Sequence, residues 1–233
     1  SDQWGNITAG VDLERRTDSE HVHAFTTPLL LKSDGTKYGK TEGGTVWLDP
    51  DLTSPYAFYQ YWFNVDDADV GMLLRRLTFL PHASITELDA ATRDEPARRH
   101  AQRALAAEVT GLVHGQQAVA QAESASQAVF GRADLSDLTP QTLAGVMSTL
   151  PHVVVDPSAE APTVADLLTQ TGLTPSKGAA RRAATEGGVY VNNARVHDAD
   201  SQVDRGTLLH GRWLVLRRGR RTVAGVDMGG GPA

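Results

Sequence analysis

Residues 32–44 read Lys-Ser-Asp-Gly-Thr-Lys-Tyr-Gly-Lys-Thr-Glu-Gly-Gly, three ammonium groups and four glycines with no large aliphatic side chain among them. Lysine places a point charge on a flexible stem, suited to following phosphate oxygens. Glycine leaves the backbone free to open and close around a ligand. Gly39-Lys40-Thr41 copies the end of a P-loop, but the position five residues before Gly39 is Asp34, where that motif needs glycine. The residues that follow, Glu42-Gly43-Gly44-Thr45-Val46-Trp47, do not read as a helix whose N-terminus holds phosphate. The segment therefore suits phosphate by some other geometry, and a solvated glycine-rich hairpin is the alternative. Lys32 has the weakest claim of the three lysines.

Two further constellations bear on chemistry. Ser1-Asp2-Gln3 precedes a helical pattern, so Ser1 and Asp2 suit a helix cap. The second is basic. Lys177 and Arg181 stand four apart and share a helix face, with Arg182 beside them, while Arg217, Arg218, Arg220 and Arg221 crowd a turn between two β-type pieces. Arginine's planar fork of donors matches phosphate. From 163 to 226 there are ten basic and five acidic residues, in a chain whose net charge is −6. That asymmetry points to a nucleic-acid-binding module on an acidic body, against the alternative of ordinary solvated faces.

The elements that must carry these residues fall into three groups. Residues 6–16 have a helical pattern with arginines in the last turn, and 21–31 read as a strand entering the lysine segment. Ser54-Pro55 marks a helix start, Ser as cap and Pro at the first helical position. The aromatic helix behind it suits a packed core better than a ligand platform. From Val70 to Leu150 the pattern is helical almost throughout. A Pro/Ser/Ala-rich acidic stretch follows as linker. Thr163 and Ser176 then cap two helices, and the short pieces at Val189, Ala194, Arg212 and Thr222 read as strands, with Asn192-Asn193 as a hairpin turn.

Composition excludes little but excludes it clearly. With 40% hydrophobic and 21% charged residues the chain is globular in type, and no stretch approaches the ~20 apolar residues of a membrane span. Zero cysteines exclude disulfides and thiolate metal sites, and the eight histidines show no His-Glu-x-x-His spacing, so no protein-bound metal is expected. The chain opens on Ser-Asp-Gln-Trp as if cut from something longer, and nothing in it argues for export.

The Ser-Asp-Gln-Trp-Gly-Asn-Ile opening, the Asp34–Asp49 stretch, the Ser54–Val70 stretch and the terminal segment from Ser176 to Val196 together resemble bacterial tyrosyl-tRNA synthetases in the same order over essentially the whole chain. Lys37-Tyr38-Gly39-Lys40-Thr41 is similar to the class I "KMSKS" loop, and the terminal segment resembles an S4 RNA-binding domain. The resemblance implies an α/β tail of a Rossmann-type catalytic domain (1–50), an all-α anticodon-recognition domain (51–154), a linker (155–162), a small α+β S4-like module (163–227) and a flexible tail (228–233). It also implies that the family's first ATP motif and most of its tyrosine pocket are missing.

The activity so implied joins L-tyrosine to tRNA(Tyr) through a tyrosyl-adenylate, with ATP as substrate accompanied by Mg2+. Lys37, Lys40 and Thr41 are then the catalytic groups on the leaving pyrophosphate. Asp2, Gln3 and Lys40 hold the adenylate, and Lys177, Arg181, Arg182, Arg217, Arg218, Arg220 and Arg221 hold RNA. Gly178 departs from the family, in which another basic residue is common. Homodimerisation through the missing half and a cytoplasmic location are implied as well. Alone, the 233 residues are expected to be inactive; the alternative function is non-catalytic tRNA binding. A tryptophanyl-tRNA synthetase is disfavoured by the S4-like tail.

Overall fold

A computed structural model describes residues 2–18, 21–27, 29–38, 45–156 and 161–229. Two compact bodies result, residues 1–45 and 46–233.

The first body is built on helix α1 (Asp2–Thr17), which starts earlier than its periodicity predicts. Residues 21–27 and 29–30 form no strand, against expectation; the one β-bridge nearby joins Leu31 to Lys37. A strand persists only where a neighbour takes up its backbone groups, and no partner strand lies among the described residues. Alternating side chains alone do not create one. None of the described residues of this body is buried, and Trp4, Leu13 and Phe25 are exposed.

The second body opens with a helical bundle, as expected: α2 (Pro55–Phe63), α3 (Asp67–Leu77), α4 (His82–Asp94), α5 (His100–His114), α6 (Gln116–Val129) and α7 (Pro140–Thr149). The Ser54 hydroxyl accepts from the Ala57 N–H and Pro55 opens α2, the predicted start. Beyond it come α8 (Val164–Gln170) and α9 (Lys177–Thr185). Thr163 and Asp166 cap α8 reciprocally, and Ser176 caps α9.

Five strands form one mixed sheet: β1 (His152–Val154), β2 (Val189–Val191), β3 (Ala194–Arg195), β4 (Trp213–Arg218) and β5 (Thr222–Asp227). Their order is β1-β5-β4-β2-β3, with β1 parallel to β5 and the other neighbours antiparallel. Asn192 and Asn193, both at positive φ, make the tight turn between β2 and β3.

The sheet lies between two apolar layers, and strand alternation assigns its side chains. Trp213 and Val215 of β4 and Val223 of β5 join the core of α2, α6 and α7, whereas Leu214, Leu216, Ala224 and Val226 join the core of α8 and α9. Gly225 belongs to the bundle face, where a Cβ would lie 2.3 Å from the Met147 methyl group. Bundle and terminal module thus share one core. Side chains fasten the seam: Asn193 Nδ2 donates to the Ala128 carbonyl at 2.7 Å, and His210 Nε2 lies 2.8 Å from the Leu138 carbonyl.

Candidate nucleic-acid interface

Alternation along β4 also decides where its arginines go. Arg217 follows Trp213 and Val215 on the bundle face, and Arg218 follows Leu214 and Leu216 on the other. Arg218 Nη1 donates to the Leu173 carbonyl at 3.0 Å, tying the hairpin to the α8–α9 connection. Arg217 is only 9% exposed. Its guanidinium lies 3.9 Å from the centroid of the Tyr190 ring, and its Nη1 donates to the Gly219 carbonyl at 2.7 Å. Arg195 covers the same ring at 5.8 Å. Together with Arg220, these cations hold the Tyr190 phenol below its ordinary range, the Arg195 hydrogen bond being the first cause.

On the bundle side of the β4–β5 hairpin lies a cleft of about 780 Å³. The hairpin supplies Arg217, Arg220 and Arg221; the bundle supplies Arg103 from α5 and Arg132 from the turn after α6. Among the described residues none of these five has a carboxylate within ion-pair distance. All but Arg217 are exposed. The one carboxylate in the lining is Glu123 of α6, which accepts from the Tyr59 hydroxyl at 3.3 Å. Five cations against one anion in a concave surface is an arrangement that can attract the phosphates of a polyanion.

The other predicted basic cluster is differently placed. Lys177 Nζ pairs with Asp166 Oδ1 at 2.5 Å and Arg181 Nε with Asp200 Oδ2 at 2.9 Å, so two of its three charges face acids of their own module. The Lys177 ammonium, followed by the Thr163 hydroxyl, holds the Asp166 carboxyl down at about 2. Arg182 is exposed and outside those pairs. The structure therefore divides the seven arginine and lysine candidates: Lys177 and Arg181 are paired on α9, Arg217, Arg220 and Arg221 converge on the cleft, and Arg182 and Arg218 belong to neither group.

Arg103 and Arg132 escaped the sequence reading. Arg103 sits in an alanine-rich helix where a cation is ordinary surface. Arg132 carried one signal, its place two residues after Phe130 at a helix end.

In the first body, Asp34 accepts from the Thr36 N–H at 2.8 Å and the Thr36 hydroxyl at 2.6 Å, and Gly35 takes φ +82°. This tight turn pairs Leu31 with Lys37 and leaves Lys37 exposed, on the arm leading into residues 39–44. Lys32 lies 5.8 Å from the Tyr38 ring centroid. Gln3 stands exposed in the first turn of α1. Lys40, Thr41 and the Asp2 side chain lie outside the described residues.

Among the described residues no group of three His, Asp or Glu side chains could hold a metal ion, and no helix is long and apolar enough to cross a membrane.

Comparison with known proteins gives two family matches. Residues 1–131 match the tRNA synthetases class I (W and Y), and residues 143–224 match the tyrosine–tRNA ligase SYY-like C-terminal domain. The chain is 54% identical over 231 residues to a tyrosine–tRNA ligase of Thermobifida fusca, with 97% of this chain and 54% of that protein aligned. It is 53% identical to those of Streptomyces griseus and Streptomyces coelicolor, over 98% and 99% of this chain and 54% of each relative. The chain thus spans about half the length of the curated relatives it matches.

Proposed function

Since the chain belongs to the class I tRNA synthetases of the W and Y family, we propose that it is the C-terminal half of a tyrosine–tRNA ligase and supplies that enzyme's nucleotide loop and its grip on tRNA. The observation that carries the RNA-binding part is the cleft in which five arginines from bundle and hairpin converge without ion-paired partners. Its cations act as positioning contacts on phosphates. The identity to tyrosine–tRNA ligases over nearly the whole chain supports tyrosine rather than tryptophan. In this reading residues 1–50, 51–154 and 163–227 serve as catalytic tail, anticodon-recognition domain and S4-like module, with RNA also reaching Lys177, Arg181 and Arg182.

That none of the described residues of the first body is buried supports its being part of a larger domain, because such a stretch has no core of its own. In the whole enzyme, ATP enters with Mg2+ as part of the substrate. Asp2 accepts from ribose hydroxyls and Gln3 reaches the tyrosyl carboxylate or α-phosphate region. Lys37, Lys40 and Thr41 meet the charge that develops on pyrophosphate as it leaves. Such charges accelerate the step because they act more strongly on the transition state than on bound ATP. The whole enzyme works as a homodimer in the cytoplasm, joined through residues outside this chain.

Alone, the 233 residues bind tRNA and catalyse nothing, because half of the reacting geometry is absent. Tyrosine-dependent ATP–pyrophosphate exchange tests the second statement. The isolated chain should show none; exchange by the purified chain would refute the assignment. In the full-length enzyme, Lys40→Ala should slow adenylate formation by about 10²-fold or more with little change in tyrosine affinity. Weakened tyrosine binding at an unaltered activation rate would remove Lys40 from this role.

A further inference from the structure

The arginine cleft holds one group that phosphate binding does not explain. Glu123 projects a carboxylate among cations that attract RNA, and a second anion at that place repels phosphate. Tyr59, 3% exposed, donates its hydroxyl proton to Glu123 Oε1. Burial first, and the neighbouring carboxylate second, push the Tyr59 phenol well above its ordinary range, so the proton stays on the phenol. Beside it, Gln60 Nε2 donates to Ser126 Oγ at 2.7 Å, and Ser126 donates onward to the Ala122 carbonyl at 2.8 Å. The bundle wall is thus ordered by its own hydrogen bonds, with a carboxylate presented to the cleft. Phe130, 45% exposed, lines the same cleft as Arg132.

A cationic track and an aromatic side chain are what hold an unstacked nucleotide, and a hydrogen-bond acceptor at the base edge adds discrimination. We propose that the cleft takes a single-stranded nucleotide of RNA, its phosphates on the arginines and its base against Phe130, and that Glu123 selects bases carrying an exocyclic amino group. A carboxylate accepts from the amino group of cytosine. Uracil presents a carbonyl at that position, and the carboxylate repels it. This inference rests on the RNA-binding reading above and adds base discrimination to it. Glu123 is a specificity residue in this account, and the arginines supply affinity.

The test is binding of the 233-residue chain to the oligoribonucleotides rC8 and rU8, two pyrimidines of the same length and charge, over a range of salt concentrations. The chain should bind rC8 about tenfold tighter than rU8, the discrimination expected of one good base contact. Glu123→Gln keeps an acceptor for Tyr59 but removes the charge and adds a donor. It should bring the two affinities within about twofold, chiefly by strengthening rU8 binding. A residue of purely structural importance would weaken both ligands together, and that result would overturn the inference. Equal, salt-dependent binding of both oligonucleotides by the unaltered chain would also overturn it while leaving the RNA-binding reading intact. Absence of salt-dependent binding to either would overturn both.

Discussion

Leu143 of α7 is fully buried in the core that the bundle shares with β4 and β5. Its replacement by alanine removes three carbon atoms from a site bounded on one side by helices and on the other by the sheet. Leu→Ala changes at such sites cost about 2–5 kcal/mol, according to how far the surroundings collapse into the space. For a body of this size, 1 kcal/mol lowers the melting temperature by about 2–4 °C, so a cost near 3 kcal/mol corresponds to about 6–12 °C. The direction that matters is where the loss is felt. Because Trp213, Val215 and Val223 belong to the same cluster, the amides of β4 should lose hydrogen-exchange protection together with those of α5 and α6. Exchange measured residue by residue on the variant is the assay. Sheet amides that kept their full protection while the helices loosened would show two independent cores, and would refute the argument that bundle and terminal module share one.

Two other perturbations probe the seam and the α9 pairs. Asn193 holds φ +66° and donates to the Ala128 carbonyl; Asn193→Ala should cost about 2 kcal/mol in chemical unfolding, roughly half from the left-handed backbone and half from the bond. Asn193→Gly, which keeps the backbone freedom, should cost about half as much, and equal costs would contradict the partition. Asp166 is held at about 2 in the folded chain, below its ordinary 3.8, first by Lys177. Its contribution to stability is therefore complete above about pH 4 and lost as pH falls through 2. Lys177→Met should flatten stability against pH in that window, and an unchanged acid limb would show that the pair contributes nothing.

What was legible in the sequence was local. Ser54-Pro55, Thr163 and Ser176 fix helix starts through bonds spanning three residues, and Asn192-Asn193 fixes a turn through backbone angles that asparagine tolerates. β1 was not legible, since three residues acquire strand geometry only by lying parallel to β5, about seventy positions away. The supposed strand at 21–31 failed for the complementary reason. Of the candidate interface, the hairpin arginines were visible as charge, but not their division between two faces. Strand alternation contained that division: Arg217 is in step with Trp213 and Val215, and so turns toward the bundle. Arg103 and Arg132 join it only through tertiary packing. The pairing of Lys177 and Arg181 with acids nineteen or fewer residues away likewise follows from how α8, α9 and the loop at Asp200 pack.

The central claim is that RNA is held by the convergent cleft arginines more than by the paired cations of α9. It is tested most directly by the salt dependence of tRNA(Tyr) binding in two double variants. Changing Arg220 and Arg221 together to alanine should lower affinity and make the slope of log affinity against log salt shallower by about two. Changing Lys177 and Arg181 together should change the slope by less, because their charge is already opposed by Asp166 and Asp200. A slope unchanged by the cleft variant, or changed more by the α9 variant, would contradict the account.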